Sequence, residues 1–284
     1  LPPLETDPRA IEQAKPQYKD VRFEGNVESR FLYATLLSTD LLPFGHLDCR
    51  LVVLPIEPQG HRYKLVRATD ARERGFLHLA RWVERAESEW VRRRAAKSEG
   101  MSTYDRLDRV HGLTRQGPDT LYRVLYGRSG TFLTAAVVET EPLCAEFGGQ
   151  AVAARGLLVD NATYGLELSA KAESHYVAAM LNAPVVDSMI KPMQSRGQWG
   201  PRDIHKKVLE LPIPKFDPGD PAHQRLSELG KTCSAKVTAW VNGGGPGKVQ
   251  SIGRLRGMVR QMLKPELEEI DALVRGLLAV GDSR

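Results

Sequence analysis

The stretch KPMQSRGQWGPRDIHKKVLELPIPKFDP, from Lys191 to Pro218, decides how this chain is interpreted. Its first half places amide, basic and aromatic side chains around Gly197 and Gly200, and its second half is an apolar run interrupted by prolines. Proline cannot donate the hydrogen bonds of a strand ladder, and it is therefore confined to edge or irregular positions. The pattern predicts a presented loop followed by an edge strand or an extended crossover.

The loop half of this stretch is rich in side chains that suit nucleic acids. Arginine and glutamine form paired hydrogen bonds with base edges, aromatic rings stack on bases, and lysine neutralises phosphates. A solvated surface loop has a similar composition, and charge alone leaves this alternative open. The candidate DNA-binding residues in this stretch are Gln194, Arg196, Gln198, Trp199, Arg202, His205, Lys206 and Lys207.

The composition is that of a folded, cored protein. The 284 residues are 42% hydrophobic, and the formal net charge of +5 fits a polyanionic partner better than an acidic chain would. We find no apolar run long enough to cross a bilayer, and the N-terminus lacks the features of a secretory signal. We therefore expect a cytoplasmic protein without a membrane partner. The chain opens at Leu1 with a proline-rich, charged segment, which indicates a piece of a longer polypeptide.

Motifs for catalysis or cofactor binding are missing from the sequence. The three cysteines form no CxxC pair, and the seven histidines show no metal-ligand spacing. The glycine-rich dinucleotide motif, the phosphate loop, HExxH and GxSxG are absent as well. We therefore expect no catalytic residue, cofactor or metal site in this chain. A nuclease with a degenerate metal site remains a weaker alternative.

The N-terminal part of the chain predicts an α/β segment. Two apolar runs between Val27 and Ile56 indicate strands of one sheet. Apolar residues at helical spacing predict a helix over residues 74–97, whose basic end complements the helix dipole. A short helix over residues 104–110 then leads to a loop that we take as a seam.

The middle of the chain predicts a hairpin, two further strands and two helices. Strands over residues 120–126 and 131–138 flank Gly127 to Gly130, which places Arg128 at the tip of the turn and makes it a further DNA-binding candidate. Strands over 151–160 and 163–168 are separated by a turn. Ser169 is the expected cap of the next helix, and a short helix over 185–190 follows.

The C-terminal part predicts two helices. Asp220 caps and Pro221 opens the first helix, and after a glycine-rich break the second runs over residues 251–278 with a kink or break at Lys264. The expected fold is mixed α/β (α+β), with a mixed twisted sheet, flanking helices and a C-terminal antiparallel helical pair. Its expected parts are residues 1–117, a recognition core at 118–220 with a DNA-reading loop at 191–218, and the helical pair at 221–284.

Several segments together resemble a known family. They are YVAAMLNAPVVDSMIKPMQSRGQWGPRDIHKKVLELPIPKFDP from Tyr176, RVLYGRSGTFLTAAVV from Arg123 and VDNATYGLEL from Val159. Their order is similar to the C-terminal target-recognition region of adenine-specific DNA methyltransferases of restriction-modification and phage-defence systems, including TaqI-like and type I/IIG-like enzymes. Ala183 and Trp199 depart from the residues that are commoner there. The family's Asn/Asp-Pro-Pro-aromatic and glycine-rich cofactor motifs are absent.

The resemblance implies a recognition domain for double-stranded DNA. A methyltransferase domain that binds S-adenosylmethionine is then expected outside this chain, in cis or in trans. Arg196, Gln198 and Arg202 are the implied base readers, with Gln194 as a further candidate, and Trp199 either wedges at the DNA or packs beneath the loop. Lys191, His205, Lys206 and Lys207 are expected to contact the DNA backbone.

A different class of function stays open. The apolar stripe from Leu255 to Leu277 suits a protein-interaction subunit that docks a methyltransferase or helicase through its C-terminal helices.

Overall fold

The computed structural model describes residues 3–140, 144–147, 150–194, 196–197, 200–201, 203–204, 206–247 and 251–281. The strands are β1 (Pro3–Glu5), β2 (Glu24–Asn26), β3 (Leu32–Thr35), β4 (Leu41–Leu42), β5 (Gly45–His46), β6 (Arg50–Val53), β7 (Ile56–Gln59), β8 (Arg62–Leu65), β9 (Tyr122–Gly127), β10 (Ala135–Glu139), β11 (Cys144–Phe147), β12 (Gln150–Ala153), β13 (Thr163–Leu168), β14 (Arg196–Gly197) and β15 (Gly200–Pro201). The helices are α1 (Pro8–Gln13), α2 (Ala68–Glu73), α3 (Leu77–Arg93), α4 (Thr103–Leu107), α5 (Lys171–Asn182), α6 (Pro184–Ile190), α7 (Pro221–Asn242), α8 (Ile252–Met262) and α9 (Lys264–Gly281).

The expected mixed α/β class is confirmed, but the sheet arrangement differs from the prediction. The described strands pair antiparallel in one three-stranded sheet and several two-stranded ones, rather than in one mixed sheet. The chain forms two compact units. The first comprises Leu1–Thr35, Arg50–Asp119 and Pro142–Leu158, and the second Leu36–Cys49, Thr120–Glu141 and Val159–Arg284. Each unit is therefore assembled from segments that are not consecutive in the sequence.

The first unit is built around α3 and the β3–β6 pair. Leu32 lies opposite Val53 in this pair, and a core of apolar side chains includes Leu79 and Val83 from the predicted stripe of α3. The residue before α3, Phe76, has no capping side chain. Glu28 takes that role from a distant segment, because its carboxylate accepts hydrogen bonds from the backbone N–H groups of His78 and Leu79.

The basic end of α3 is used within the first unit. Arg93 forms ion pairs with Glu89 and Asp20, and Arg94 donates a hydrogen bond to the carbonyl of Met101. Arg92 also pairs with Glu89. These contacts agree with a structural role for this arginine cluster rather than with nucleic-acid contact.

The second unit contains the sheet β10-β9-β13. The β9–β10 hairpin is confirmed, with Ala135 opposite Tyr126, but its connection runs over residues 128–134 and is longer than the expected turn. Tyr126 and Tyr164 stack across β9 and β13 with ring centroids 5.2 Å apart. The two strands expected over residues 151–160 and 163–168 do not pair with each other, because β12 pairs with β11 in the first unit and β13 pairs with β9.

Helix α5 packs against the sheet and against α7. Its buried residues include Tyr176, Met180 and Leu181, as the sequence predicts. The expected cap, Ser169, is not the N-cap residue, because Ala170 holds that position without a side-chain hydrogen bond. At the start of α7 the expected cap is confirmed, since the carboxylate of Asp220 accepts hydrogen bonds from the N–H groups of Ala222 and His223.

The final helical segment is divided as the sequence predicts. Helix α8 ends at Met262 and α9 begins at Lys264, one residue before Pro265. Their apolar stripe faces the core of the second unit, because Leu255, Val259, Ile270 and Val274 are almost completely buried.

Of the two forms expected for residues 208–216, an edge strand or an extended crossover, the edge strand is wrong. Residues Lys207–Glu210 form a 3₁₀ turn, and no strand follows in the described segment up to α7. Pro212 and Pro214 lack the N–H groups of a ladder, while Ile213 and Phe216 still pack on the core. The segment is fixed instead by the hydroxyl of Tyr176, which donates to the carbonyl of Pro214.

Among the residues that the structure describes, no helix has both the length and the apolar character needed to cross a bilayer.

We expect Gly230→Ala to destabilise the protein by about 1 to 3 kcal/mol, as overpacking does. A Cβ atom at this α7 position would lie 3.0 Å from the carbonyl carbon of His175 in α5, and closer still to its oxygen. Because the obstacle is backbone, the two helices must separate. Gly276→Ala in α9 is the control, since nothing lies within 4 Å of its added Cβ. Urea unfolding should show the control unchanged or up to about 1 kcal/mol more stable. Equal stability of the two variants would contradict this packing.

We expect the free energy of unfolding to fall as the pH is lowered from about 6.5 to about 4. Burial, with Lys171 nearby, lowers the pKa of His175 from 6.5 to about 4, because both disfavour the charged ring. In that window the unfolded chain binds a proton at His175 that the folded chain does not bind.

The loss should be of the order of 2 kcal/mol. In urea titrations across this pH range, His175→Gln should flatten the decline. His61→Gln replaces a fully exposed ring and should leave it unchanged. A His175→Gln profile parallel to that of the wild type would contradict the assignment.

Candidate nucleic-acid interface

The connection between β9 and β10 contacts the predicted DNA-reading stretch directly. The N–H of Arg128 donates to the carbonyl of Ala162 at 2.9 Å, and the carbonyl of Arg128 accepts from the N–H of Ile204 at 3.0 Å. Ser129 and Asp203 form an isolated antiparallel bridge beside this bond. The structure therefore brings Arg128 together with the segment around residue 204, although the two are far apart in the sequence. We call residues 128–134 the anchored loop.

Buried polar side chains of α5 and α6 hold the other end of the anchored loop. Asn182 accepts a hydrogen bond from the N–H of Ala135 at 3.1 Å and donates one to its carbonyl at 2.8 Å. Asp187 accepts from the N–H of Leu133 at 2.7 Å. These backbone groups are buried where β10 begins, and the two side chains satisfy them together with the N–H of Phe44, which also donates to the carbonyl of Ala135. The loop thus has fixed ends.

Two arginines of α8 also bind backbone carbonyls. Arg256 donates to Leu41 at 2.9 Å and to Ser38 at 2.6 Å, and Arg260 donates to the carbonyl of Leu133 at 2.7 Å. Burial lowers the pKa of both guanidinium groups, although arginine stays protonated at neutral pH. Among the described residues of α8, Arg254 is therefore the one arginine that is exposed to solvent.

The exposed side of the anchored loop is cationic. Arg128 is exposed at one end of the loop, and Lys191 is exposed near Phe132, with its Nζ 4.9 Å from the ring centroid. Lys191 also forms an ion pair of 3.1 Å with Asp187. Lys206 is also exposed in this unit. Arg128 and Lys191 can attract phosphates, because neither side chain is deeply buried.

Two of the candidate residues are less accessible to a ligand, one because it is buried and the other because it forms an ion pair within the protein. Gln194 is only 7% exposed, and its Oε1 has no hydrogen-bond partner among the described residues. Lys207 is largely covered and forms an ion pair of 2.9 Å with Asp203. Gln194 is therefore turned away from solvent, and the charge of Lys207 is compensated.

The remaining candidates are described in part or not at all. Arg196 belongs to β14, which pairs antiparallel with β15 and places Arg196 opposite Pro201. Gln198, Trp199, Arg202 and His205 lie outside the described residues.

The sequence patterns do not predict the two polar anchors, Asn182 and Asp187. A single acid in an otherwise apolar short helix, as in PVVDSMI of α6, is a signal that could have indicated a buried polar contact.

No three His, Cys, Asp or Glu side chains in the described part of the chain are arranged to hold a metal ion.

Comparisons with known proteins give one informative result. No protein-family model matches this chain, and no curated protein sequence matches it. Among solved structures, it matches the type IIL restriction-modification enzyme MmeI, determined in complex with DNA. The TM-score is 0.52 at 10% sequence identity, and the match covers 91% of this chain. The chain spans only 29% of the MmeI chain. At this identity the match shows that the fold of this chain is related to part of a restriction-modification enzyme.

We expect Asp187→Ala to lower the free energy of unfolding by about 2 to 3 kcal/mol, because it leaves the buried N–H of Leu133 without an acceptor and removes the partner of Lys191. Asp187→Asn retains an acceptor oxygen of similar shape and should cost clearly less. Urea unfolding monitored by circular dichroism measures both variants. If the two substitutions cost the same, the hydrogen bond to Leu133 does not hold the loop as described.

Proposed function

We propose that this chain recognises double-stranded DNA in a sequence-dependent manner. The observation that carries the proposal is the anchored loop. It joins Arg128 to the stretch that is richest in base-reading residue types, and its backbone, fixed by buried hydrogen bonds, holds the exposed Arg128 at one end and Phe132 beside the exposed Lys191. A rigid, positively charged support is what positioning of the phosphate backbone requires. The related fold of MmeI, whose structure contains DNA, is consistent with this role.

We further propose that the chain is the target-recognition domain of a SAM-dependent adenine DNA methyltransferase in a restriction-modification or phage-defence system. The support is the sequence resemblance and the fold shared with part of a restriction-modification enzyme. Flipping an adenine out of a duplex requires a separate surface that holds the neighbouring bases. Binding of S-adenosylmethionine and methyl transfer are assigned to a catalytic domain in cis or in trans, and the setting to the cytoplasm.

In this proposal the side chains divide the work between positioning and reading. Arg128, Lys191 and Lys206 contact phosphates, whereas Arg196, Gln198 and Arg202 read base edges in the major groove. The alternative of a protein-docking subunit loses its motivating observation, because most of the stripe on α8 and α9 is buried in the unit's own core.

We expect tight binding of this chain to a duplex selected from a random pool, with affinity that falls steeply between about 50 and 200 mM salt. Arg128→Ala should reduce the affinity for all duplexes and lower the slope of log affinity against log salt by about 1, because one phosphate contact is lost. Fluorescence anisotropy of labelled duplexes measures both quantities. Arg275→Ala is the control, since this exposed arginine of α9 is paired with Asp271 and lies outside the anchored loop.

Sequence reading is tested separately. Arg196→Ala and Arg202→Ala should each cost about 1 to 3 kcal/mol on the selected duplex and much less on random duplexes. Negligible binding of every duplex at low salt contradicts the DNA-binding proposal. Strong binding with unchanged sequence preference in both variants contradicts the reading role and leaves a non-specific binder.

A further inference from the structure

The anchored loop carries one large apolar side chain that is turned to solvent. Phe132 is 47% exposed, whereas the next residue, Leu133, is completely buried. Single exposed apolar residues are common on protein surfaces and need no explanation by themselves. Phe132 differs from such residues in three ways: its neighbouring backbone is fixed, two cations lie near its ring, and it belongs to the anchored loop.

The backbone beside Phe132 is fixed on several sides. The N–H of Leu133 donates to Asp187, and the carbonyl of Leu133 accepts from Arg260, both at 2.7 Å. On the preceding side the chain is also tight, because a Cβ added to Gly130 would lie 3.2 Å from the carbonyl oxygen of Phe132. The ring is thus presented by a rigid support rather than held by its own burial. A side chain presented in this way loses little conformational entropy on contact with a ligand.

Two cations lie against the ring of Phe132. The Nζ of Lys191 is 4.9 Å from the ring centroid, and the Cζ of Arg260 is 5.1 Å from it. Arg260 is tied to the carbonyl of Leu133, whereas the exposed Lys191, which also pairs with Asp187 at 3.1 Å, has further N–H donors for a phosphate oxygen. A phosphate bound there lies beside the apolar ring of Phe132.

This combination matches the chemistry of a base-stacking residue. Apolar wedges that enter between base steps are held by basic groups on the flanking phosphates, and stacking on a base is worth enough to offset part of the unstacking cost. The exposed Arg128 lies in the same loop and supplies a second cation for the backbone.

We propose that Phe132 inserts at a base step of the bound duplex and stacks on a base there, with Lys191 on an adjacent phosphate. The inference rests on the proposed DNA-binding function and deepens it, because it assigns the deformation of the duplex to a side chain that the sequence did not single out.

The test uses the duplex selected by the wild-type chain, with one adenine at a time replaced by 2-aminopurine, whose emission rises when it is unstacked. Wild-type protein should raise the emission at one position or at two neighbouring ones. Phe132→Ala should abolish this rise at saturating protein and weaken binding about 5- to 100-fold, the range expected for one lost stacking contact. Phe132→Tyr should restore both, because it keeps the aromatic ring.

Leu121→Ala is the matched control. Leu121 is 52% exposed and precedes β9 in the same unit, and its loss should leave emission and affinity at wild-type values. Thermal unfolding of each variant checks that the fold is intact, which is expected because both side chains are exposed.

The outcomes separate the two proposals. Wild-type protein that binds no duplex overturns the DNA-binding function and the role of Phe132 with it. Duplex binding with no 2-aminopurine position that responds, or with an unchanged response and affinity within about twofold in Phe132→Ala, overturns the insertion alone.

Discussion

The second unit depends on the pair of hydrogen bonds between Asn182 and the backbone of Ala135. Asn182 is the last residue of α5 and is 1% exposed, so its amide group is removed from water and must find partners inside the protein. The two bonds to Ala135 supply them and at the same time complete the hydrogen bonding of β10. Helix α5 and the sheet are thereby held in one relative position.

The fixed position of α5 extends to its other neighbours. Ser227 of α7 donates to the carbonyl of Ala172, and Gly230 lets the two helices approach until only a hydrogen atom fits against His175. Helix α6 follows α5 directly and contributes Asp187, which fixes Leu133. The anchored loop is therefore positioned by the core of the unit, and its exposed side chains need no contacts of their own to be held in place.

Local signals in the sequence predicted the elements whose partners lie nearby in the chain. The cap at Asp220, the break at Lys264 and the β9–β10 hairpin were correct because turn, cap and proline chemistry acts over a few residues. The pairings of β12 and β13 and the place of residues 36–49 were not predicted. Strands with similar apolar patterns differ in their partners only through tertiary packing, which a pattern does not encode.

The candidate site shows the same division. Arg128 was expected at the tip of a turn and is exposed, and its contact with the segment around residue 204 is a proximity that the sequence does not indicate. Gln194 is a residue type that can read bases, yet it is buried, and the exposure of Phe132 gives no sequence signal, because burial and exposure of single side chains follow from packing. Sequence composition therefore predicts which residue types a segment contains. Packing decides which of those side chains are exposed and can contact a ligand.

The arginines of α8 show why the net charge of the chain exceeds the positive charge that is exposed to a polyanion. A guanidinium group carries five donors in a planar fork, and Arg256 uses two of its nitrogens to bind the carbonyls of Ser38 and Leu41 at once. Lysine offers no such fork, which favours arginine here for structural reasons. Two arginines of this helix, Arg256 and Arg260, therefore bind backbone carbonyls of other segments. The exposed positive charge is therefore carried by fewer side chains than the sequence suggests, so the loss of one exposed cation such as Arg128 removes a larger share of it.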